Sequence, residues 1–228
     1  MSQKNITAAI DELCNTMSHC LPANTPGEQH IGIVLLRELT RRGPVTADEL
    51  AETLGISAAD TKAFLEESGM GRLVIRHRDN DESIVGFWGL STTPTHHKLA
   101  INGSTIWAWC AVDALFLPEL LGVTAQIESK DPVCGELVEL TVSPSGIESR
   151  SHENILVSVN SPDVWDLSSA ESTIKSACHY VFFFASRDSG VRWVANHPET
   201  VLLTLEEAVE LARKKNDCDF GNELTGEK

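Results

Sequence analysis

No window of about 18 consecutive apolar residues occurs in this chain, so no segment reads as a membrane span. The first residues, Met1-Ser2-Gln3-Lys4-Asn5, carry neither an apolar secretory core nor a small-residue cleavage pattern, and the cytoplasm is the expected compartment. Cys-x-x-Cys is missing too. The six cysteines, Cys14, Cys20, Cys110, Cys134, Cys178 and Cys218, are widely spaced, which argues against a zinc ribbon, a thioredoxin-type motif or a disulfide framework. Positive charge is scarce: 18 Lys and Arg stand against 33 Asp and Glu, for a net charge of -15. Binding through phosphates needs a basic face that releases counterions, so nucleic acid is not an expected partner. No internal repeat or low-complexity tract is visible.

What remains is an ordinary soluble composition, 42% hydrophobic over 228 residues, enough to bury a real core. Residues 5–20 have a helical rhythm, with Ile6, Ile10, Leu13, Cys14 and Met17 on one stripe, and Leu21–Gly27 reads as a linker. Residues 29–42 form a second amphipathic helix stopped by Gly43-Pro44. Thr46-Ala47-Asp48-Glu49 is a capping box opening a short helix to Leu54, and a third helix runs from Ser57 to about Glu67. Two strand-like runs, Leu73-Val74-Ile75 and Ile84–Trp88, flank the polar turn Asp79-Asn80-Asp81. Three helices and a hairpin over residues 29–90 predict a winged-helix-like domain. Its third helix sets Lys62 against Asp60, Glu66 and Glu67, the wrong sign for DNA, so Arg72, Arg76, His77 and Arg78 read as solvated strand residues. The second half mixes strands and helices: strands at 98–101, 124–127, 137–142, 155–159, 180–184 and 201–203, helices at 169–176, 191–196 and 205–215. The predicted fold is α+β: residues 1–28 an N-terminal helix and linker, 29–90 the winged-helix-like domain, 91–215 a mixed or antiparallel-sheet catalytic domain with flanking helices, and 216–228 a flexible tail.

Chemistry concentrates in Trp107–Leu115. An apolar helix there, capped at Ser104 and ending near Leu117-Pro118, sets Cys110 and Asp113 three residues apart, on one helix face. A second apolar segment, Ser176–Ser186, carries Cys178. Two thiols and a carboxylate suit a soft, thiophilic metal, because the thiolate is the ligand such a metal prefers. Trp107, Trp109 and Phe182–Phe184 are candidates for the apolar surroundings that raise a carboxyl pKa and make Asp113 a proton carrier.

Ala108–Leu115 resembles the first active-site segment of the organomercurial (alkylmercury) lyases. Leu140-Thr141-Val142-Ser143-Pro144-Ser145 resembles a core segment of that family, and Ser176-Ala177-Cys178-His179 with Phe183–Ser186 resembles its second active-site segment. The three occur in the family's order, over roughly residues 30–215. The resemblance implies that Cys110, Asp113 and Cys178 are the catalytic trio and that the reaction is protonolysis of a carbon–mercury bond, giving a hydrocarbon and Hg(II). Cys110, Cys178 and Asp113 would then hold the Hg(II) product. It also implies no organic cofactor, dependence on low-molecular-weight thiols, and hand-over of Hg(II) to those thiols or to a mercuric reductase. His179 stands where some relatives carry another cysteine.

The remaining candidates read more plainly. Cys134, beside Gly135, is a structural or incidental loop thiol, and Cys14 and Cys20 are packing or surface thiols. Cys218 in the acidic tail is incidental, or an accessible thiol that passes on mercury. His96-His97 reads as a solvated pair, and His179, on a strand next to Cys178, points to the opposite face. Two rivals stay open: a non-enzymatic soft-metal carrier, which needs no proton donor, and a metal-responsive winged-helix regulator, which the acidic third helix disfavours.

Overall fold

The computed structural model describes residues 24–77 and 83–225. The expected helix over residues 5–20, with Cys14 and Cys20, and the turn Asp79-Asn80-Asp81 lie outside the described residues. The first described helix, α1 (Pro26–Arg42), starts before residue 29 because Thr25 caps it: the Thr25 side chain accepts from the Glu28 N–H while the Glu28 carboxylate accepts from the Thr25 N–H. Ile33, Leu35, Leu36 and Leu39 form its buried face. Next come β1 (Val45–Thr46), α2 (Ala47–Leu54), opened by the Thr46–Glu49 capping box, and α3 (Ala58–Glu67). β2 (Val74–Arg76) and β1 both pair antiparallel with β3 (Ser83–Phe87).

The chain continues through β4 (Leu90–Ser91), β5 (His97–Ile101), β6 (Ser104–Ala108), α4 (Ala111–Leu121), β7 (Ala125–Lys130), β8 (Leu137–Ser143) and β9 (Gly146–Arg150). β10 (Leu156–Asn160), α5 (Ala170–Ser176), β11 (Phe183–Phe184), α6 (Arg187–Asn196), β12 (Thr200–Thr204) and α7 (Leu205–Thr225) complete it. Among the described residues the architecture is α+β, with two sheets that are antiparallel throughout. The larger runs β1-β3-β4-β6-β5-β7-β8-β9, with β2 also on β3; the smaller runs β11-β10-β12. β3 connects through β4 to β6, so the residues before and after 90 share one sheet and one core.

α4 is the centre of that core. Ten of its eleven residues are buried, so it has no polar stripe and packs on all sides, against α7 and against β5, β6 and β8.

The folded chain departs from the sequence expectation at four places. Ser104 caps no helix; it begins β6, because Asn102-Gly103 takes positive φ at both positions (48° and 83°) and folds β5 onto β6 as a tight hairpin. The helix after it does not stop at Pro118 but continues to Leu121 and Gly122 (φ 70°); the lost N–H costs one intrahelical bond, which packing against α7 outweighs. Residues 216–228 are not a flexible tail as far as they are described: α7 extends to Thr225, and Phe220 is fully buried, with Asn216 buried beside it. Phe220 meets the Trp88 ring edge-to-face at 5.5 Å, and that apolar contact holds a polar-looking segment in the helix. The run 180–184 is a strand only at Phe183–Phe184, since Cys178–Tyr180 form a 3₁₀ turn.

Candidate active site

Cys110 leaves β6 in extended conformation (φ -147°, ψ 177°) and becomes the N-cap of α4. Its Sγ accepts the Asp113 backbone N–H at 3.5 Å, the bond a Ser or Thr cap would make through oxygen. The thiol and the carboxylate of Asp113 therefore both stand at a helix N-terminus, where the amide dipoles favour negative charge. This differs from two residues on one face of a continuous helix, but it brings the groups together all the same.

Cys178 arrives from the segment that leads into the smaller sheet. It sits in the turn after α5, and its Sγ donates to Asp113 Oδ2 at 3.7 Å. The ligand atoms of Cys110, Asp113 and Cys178 all lie within 4.8 Å of one another, and all three residues are buried. Hydrogen bonds from β10 bracket the turn. Buried Asn160 donates from Nδ2 to the Ser176 carbonyl at 2.7 Å, and Ser158 donates to the Tyr180 carbonyl at 2.6 Å while accepting from the Phe182 N–H at 3.0 Å.

The trio faces a cavity of about 90 Å³ with an almost wholly apolar lining. Burial pushes the Asp113 carboxyl above the usual carboxylate range, against hydrogen bonds from the two thiols and the charge of Lys215. Burial likewise drives Cys110 well up, with Cys178 and Asp113 acting in the same sense. At Cys178 the hydrogen bond from Cys110 favours the thiolate, yet burial and the Asp113 charge outweigh it, and the thiol is raised. Burial thus favours the thiol form at both sulfurs and makes the Asp113 carboxylate a stronger proton acceptor than one in water.

The apolar setting is not the one the sequence suggested. Trp109 lines the cavity, but Trp107, on β6, does not, and Phe182–Phe184 pack in the core and against His96, His97 and Trp193. The aromatic walls are Trp88, Trp109, Phe116 and Trp165. Trp165 is held by its indole N–H on Asn160 Oδ1 at 2.9 Å.

Two further residues escaped the sequence reading. Gly89 (φ 86°) follows Trp88 (φ 47°) in the β3–β4 turn, and a Cβ at Gly89 would lie 2.7 Å from Asp113 Cγ. Its bare backbone is the surface against which the carboxylate rests. Trp-Gly between two apolar runs was a legible turn signal; its distance from Asp113 was not. Lys215 reaches the cavity from α7, and only its i, i+4 spacing from the apolar Leu211 hinted at an inward face.

His179 is exposed and outside the site, on a 3₁₀ turn rather than a strand. His97 is not solvated: it is 1% exposed and its Nδ1 lies 2.9 Å from Ser129 Oγ, whereas His96 is exposed. Cys134 and Cys218 are exposed free thiols, the latter on α7. No described helix is long and apolar enough to cross a membrane.

The family model described as MerB, alkylmercury lyase, matches residues 90–215. An alkylmercury lyase of Staphylococcus epidermidis is 33% identical over 179 residues, covering 78% of each chain. One from Streptomyces lividans is 31% identical over 180 residues, again 78% of each. Among solved structures, the mercury-bound form of MerB2 superposes with a TM-score of 0.71 at 22% identity, covering 92% of this chain and 98% of that one, a likeness of fold.

Proposed function

This chain belongs to the alkylmercury lyase family and is an enzyme that cleaves carbon–mercury bonds, and we propose that Cys110, Asp113 and Cys178 are the residues that do so. The observation that carries the assignment is the convergence of two sulfurs and one carboxylate within 4.8 Å in an apolar cavity. Soft Hg(II) favours thiolates over the other side chains present.

The reaction is proton bookkeeping around one metal atom that the substrate itself brings. One cysteine thiol displaces the outside ligand X from R–Hg–X, forming S–Hg–R and releasing HX. The second thiol passes its proton to the Asp113 carboxylate and binds mercury as a thiolate. Two thiolates load electron density onto mercury and make the attached carbon more carbanion-like. Asp113 then delivers its proton to that carbon: the C–H bond forms, the C–Hg bond breaks, and R–H leaves. The carboxylate is regenerated and Hg(II) stays between the two sulfurs. Mercury remains divalent throughout, so no redox partner is required. The elevated proton affinity of Asp113 and the 3.7 Å contact from Cys178 support the relay, which is general acid catalysis coupled to metal binding.

No organic cofactor enters this scheme. Two low-molecular-weight thiols exchange for Cys110 and Cys178 and carry Hg(II) away, to solution or to a mercuric reductase. The need for reduced thiols favours a cytoplasmic enzyme. Residues 29–90, with three helices and a hairpin, form a winged-helix-like module that here acts as scaffold for the catalytic portion, residues 91–215. The helix α3 that a DNA-binding relative would insert carries Asp60, Glu66 and Glu67.

Anaerobic turnover of phenylmercury with excess thiol tests the assignment. Cys110→Ser and Cys178→Ser each abolish benzene release. Asp113→Ala retains mercury but loses roughly 10²–10⁴-fold in release. Wild-type release by Asp113→Ala would remove the acid role from this residue, and mercury binding with no hydrocarbon release by the wild-type enzyme would make the trio a carrier site.

A further inference from the structure

Among the described residues lining the cavity, Lys215 carries the only positive charge. Its ammonium is held rather than loose. Nζ stands 4.6 Å from the centroid of Trp88 and 4.5 Å from that of Phe116, and it donates to Asp219 Oδ2 at 2.9 Å. The side chains of Lys215 and Asp219 are 14% and 8% exposed, so water screens this cation poorly. Asp219 does not line the cavity, so the pair presents its positive end to the site. The clamp is part of the catalytic wall: Trp88 precedes Gly89, whose backbone backs Asp113, and Phe116 lies one turn along α4 from Asp113.

We propose that Lys215 is an electrostatic positioning residue for carbon–mercury cleavage, a fixed cation that meets the negative charge left on Asp113 as its proton passes to carbon. The inference rests on Asp113 as the proton donor. Protonolysis breaks the Asp113 O–H bond and leaves a bare carboxylate in an apolar cavity, where an uncompensated charge is costly. Burial alone would make Asp113 a reluctant donor. The Lys215 charge pulls in the opposite direction on Asp113, and also on the Cys178 thiol. The aromatic faces and Asp219 fix the ammonium in advance, so no reorganisation accompanies the charge shift.

The test compares Lys215→Met, Lys215→Gln and Lys215→Arg with the wild-type enzyme on phenylmercury, with retained Hg(II) per chain and thermal unfolding measured alongside. Lys215→Gln keeps a hydrogen-bond donor toward Asp219 and serves as the folded neutral variant. Loss of the cation lowers kcat by roughly tenfold or more, the scale of one charge at an effective dielectric of about 20. KM and Hg(II) retention stay at wild-type values, and Lys215→Arg restores most of the rate. In an Asp113→Ala background, Lys215→Met produces no further loss. Wild-type kcat in Lys215→Gln overturns the proposal, as does parallel loss of kcat and Hg(II) retention in that variant, which would make Lys215 a structural prop. Wild-type turnover by Asp113→Ala alone would instead overturn the assignment of the donor.

Discussion

The Ala111 backbone N–H donates to the Val181 carbonyl at 3.1 Å, lacing the start of α4 to the segment just past the Cys178 turn. One residue before Ala111 is Cys110, and three residues before Val181 is Cys178. Residues 65 or more apart in sequence are thereby held across one cavity wall, with the Asn160 and Ser158 bonds fixing the far side. Mercury would meet a site already assembled, which lowers the entropic cost of gathering two ligands around one atom.

Gly89 is the clearest place to disturb that assembly without replacing a reacting residue. Gly89→Ala introduces a Cβ 2.7 Å from Asp113 Cγ, at a φ of 86° where an L side chain is strained. The variant should lose about 1–3 kcal/mol of stability from the backbone strain. Displacing the carboxylate should slow single-turnover benzene release by roughly 100-fold. Retained Hg(II) should remain at the wild-type stoichiometry. Release at the wild-type rate would show that the carboxylate does not depend on this contact.

Asp113→Asn should separate stability from activity. The folded state holds the Asp113 proton more tightly than the unfolded chain does, so ionising it costs native stability, and that cost grows as pH rises through the elevated native pKa. A neutral side chain of the same shape removes the cost. Unfolding at neutral pH should shift toward greater stability by roughly 1 kcal/mol, while hydrocarbon release collapses. A destabilised variant at neutral pH would contradict the burial argument.

His97 has the opposite linkage. Burial, with His96 beside it, lowers its pKa from 6.5 to about 3. Between these values the unfolded chain binds a proton that the native state refuses. Stability therefore falls as pH drops through this window, by at most about 1.4 kcal/mol per pH unit. Urea unfolding of wild type and His97→Gln, at neutral pH and midway through the window, should show a shallower acid slope in the variant. Equal slopes would mean that His97 is protonated in the native state.

Phe220 tests the C-terminal helix. It is fully buried, edge-on to Trp88, and its ring lies 3.3 Å from where a Cβ on Gly32 would stand. Phe220→Ala should cost about 3–5 kcal/mol in denaturant unfolding, a core-sized loss. A surface-sized loss would restore the picture of a frayed tail.

Local signals were legible where local physics decided the outcome. The Thr46–Glu49 box, the Gly43 stop and the alternation along Leu137–Val142 each became the element they predict, because capping and pleat act over a few residues. Reading failed where competing signals met. Ser104 resembled a helix cap, but the neighbouring Asn102-Gly103 turn drew it into a hairpin. The polar appearance of residues 216–225 gave no sign that one phenylalanine would anchor them to the core.

Residue types and order alone determined the chemistry on offer: two thiols and a carboxylate in apolar segments, without the basic face nucleic acid would need, and a three-segment resemblance to one enzyme family. Only the folded chain decided that Cys110 is a helix cap, that Gly89 backs Asp113, that Trp88 and Trp165 replace Trp107 and Phe182–Phe184 as walls, and that Lys215 faces the same space. Capping and periodicity are properties of neighbours along the chain. Which distant side chains share a cavity depends on how two sheets and a central helix pack, and no short window of sequence encodes that.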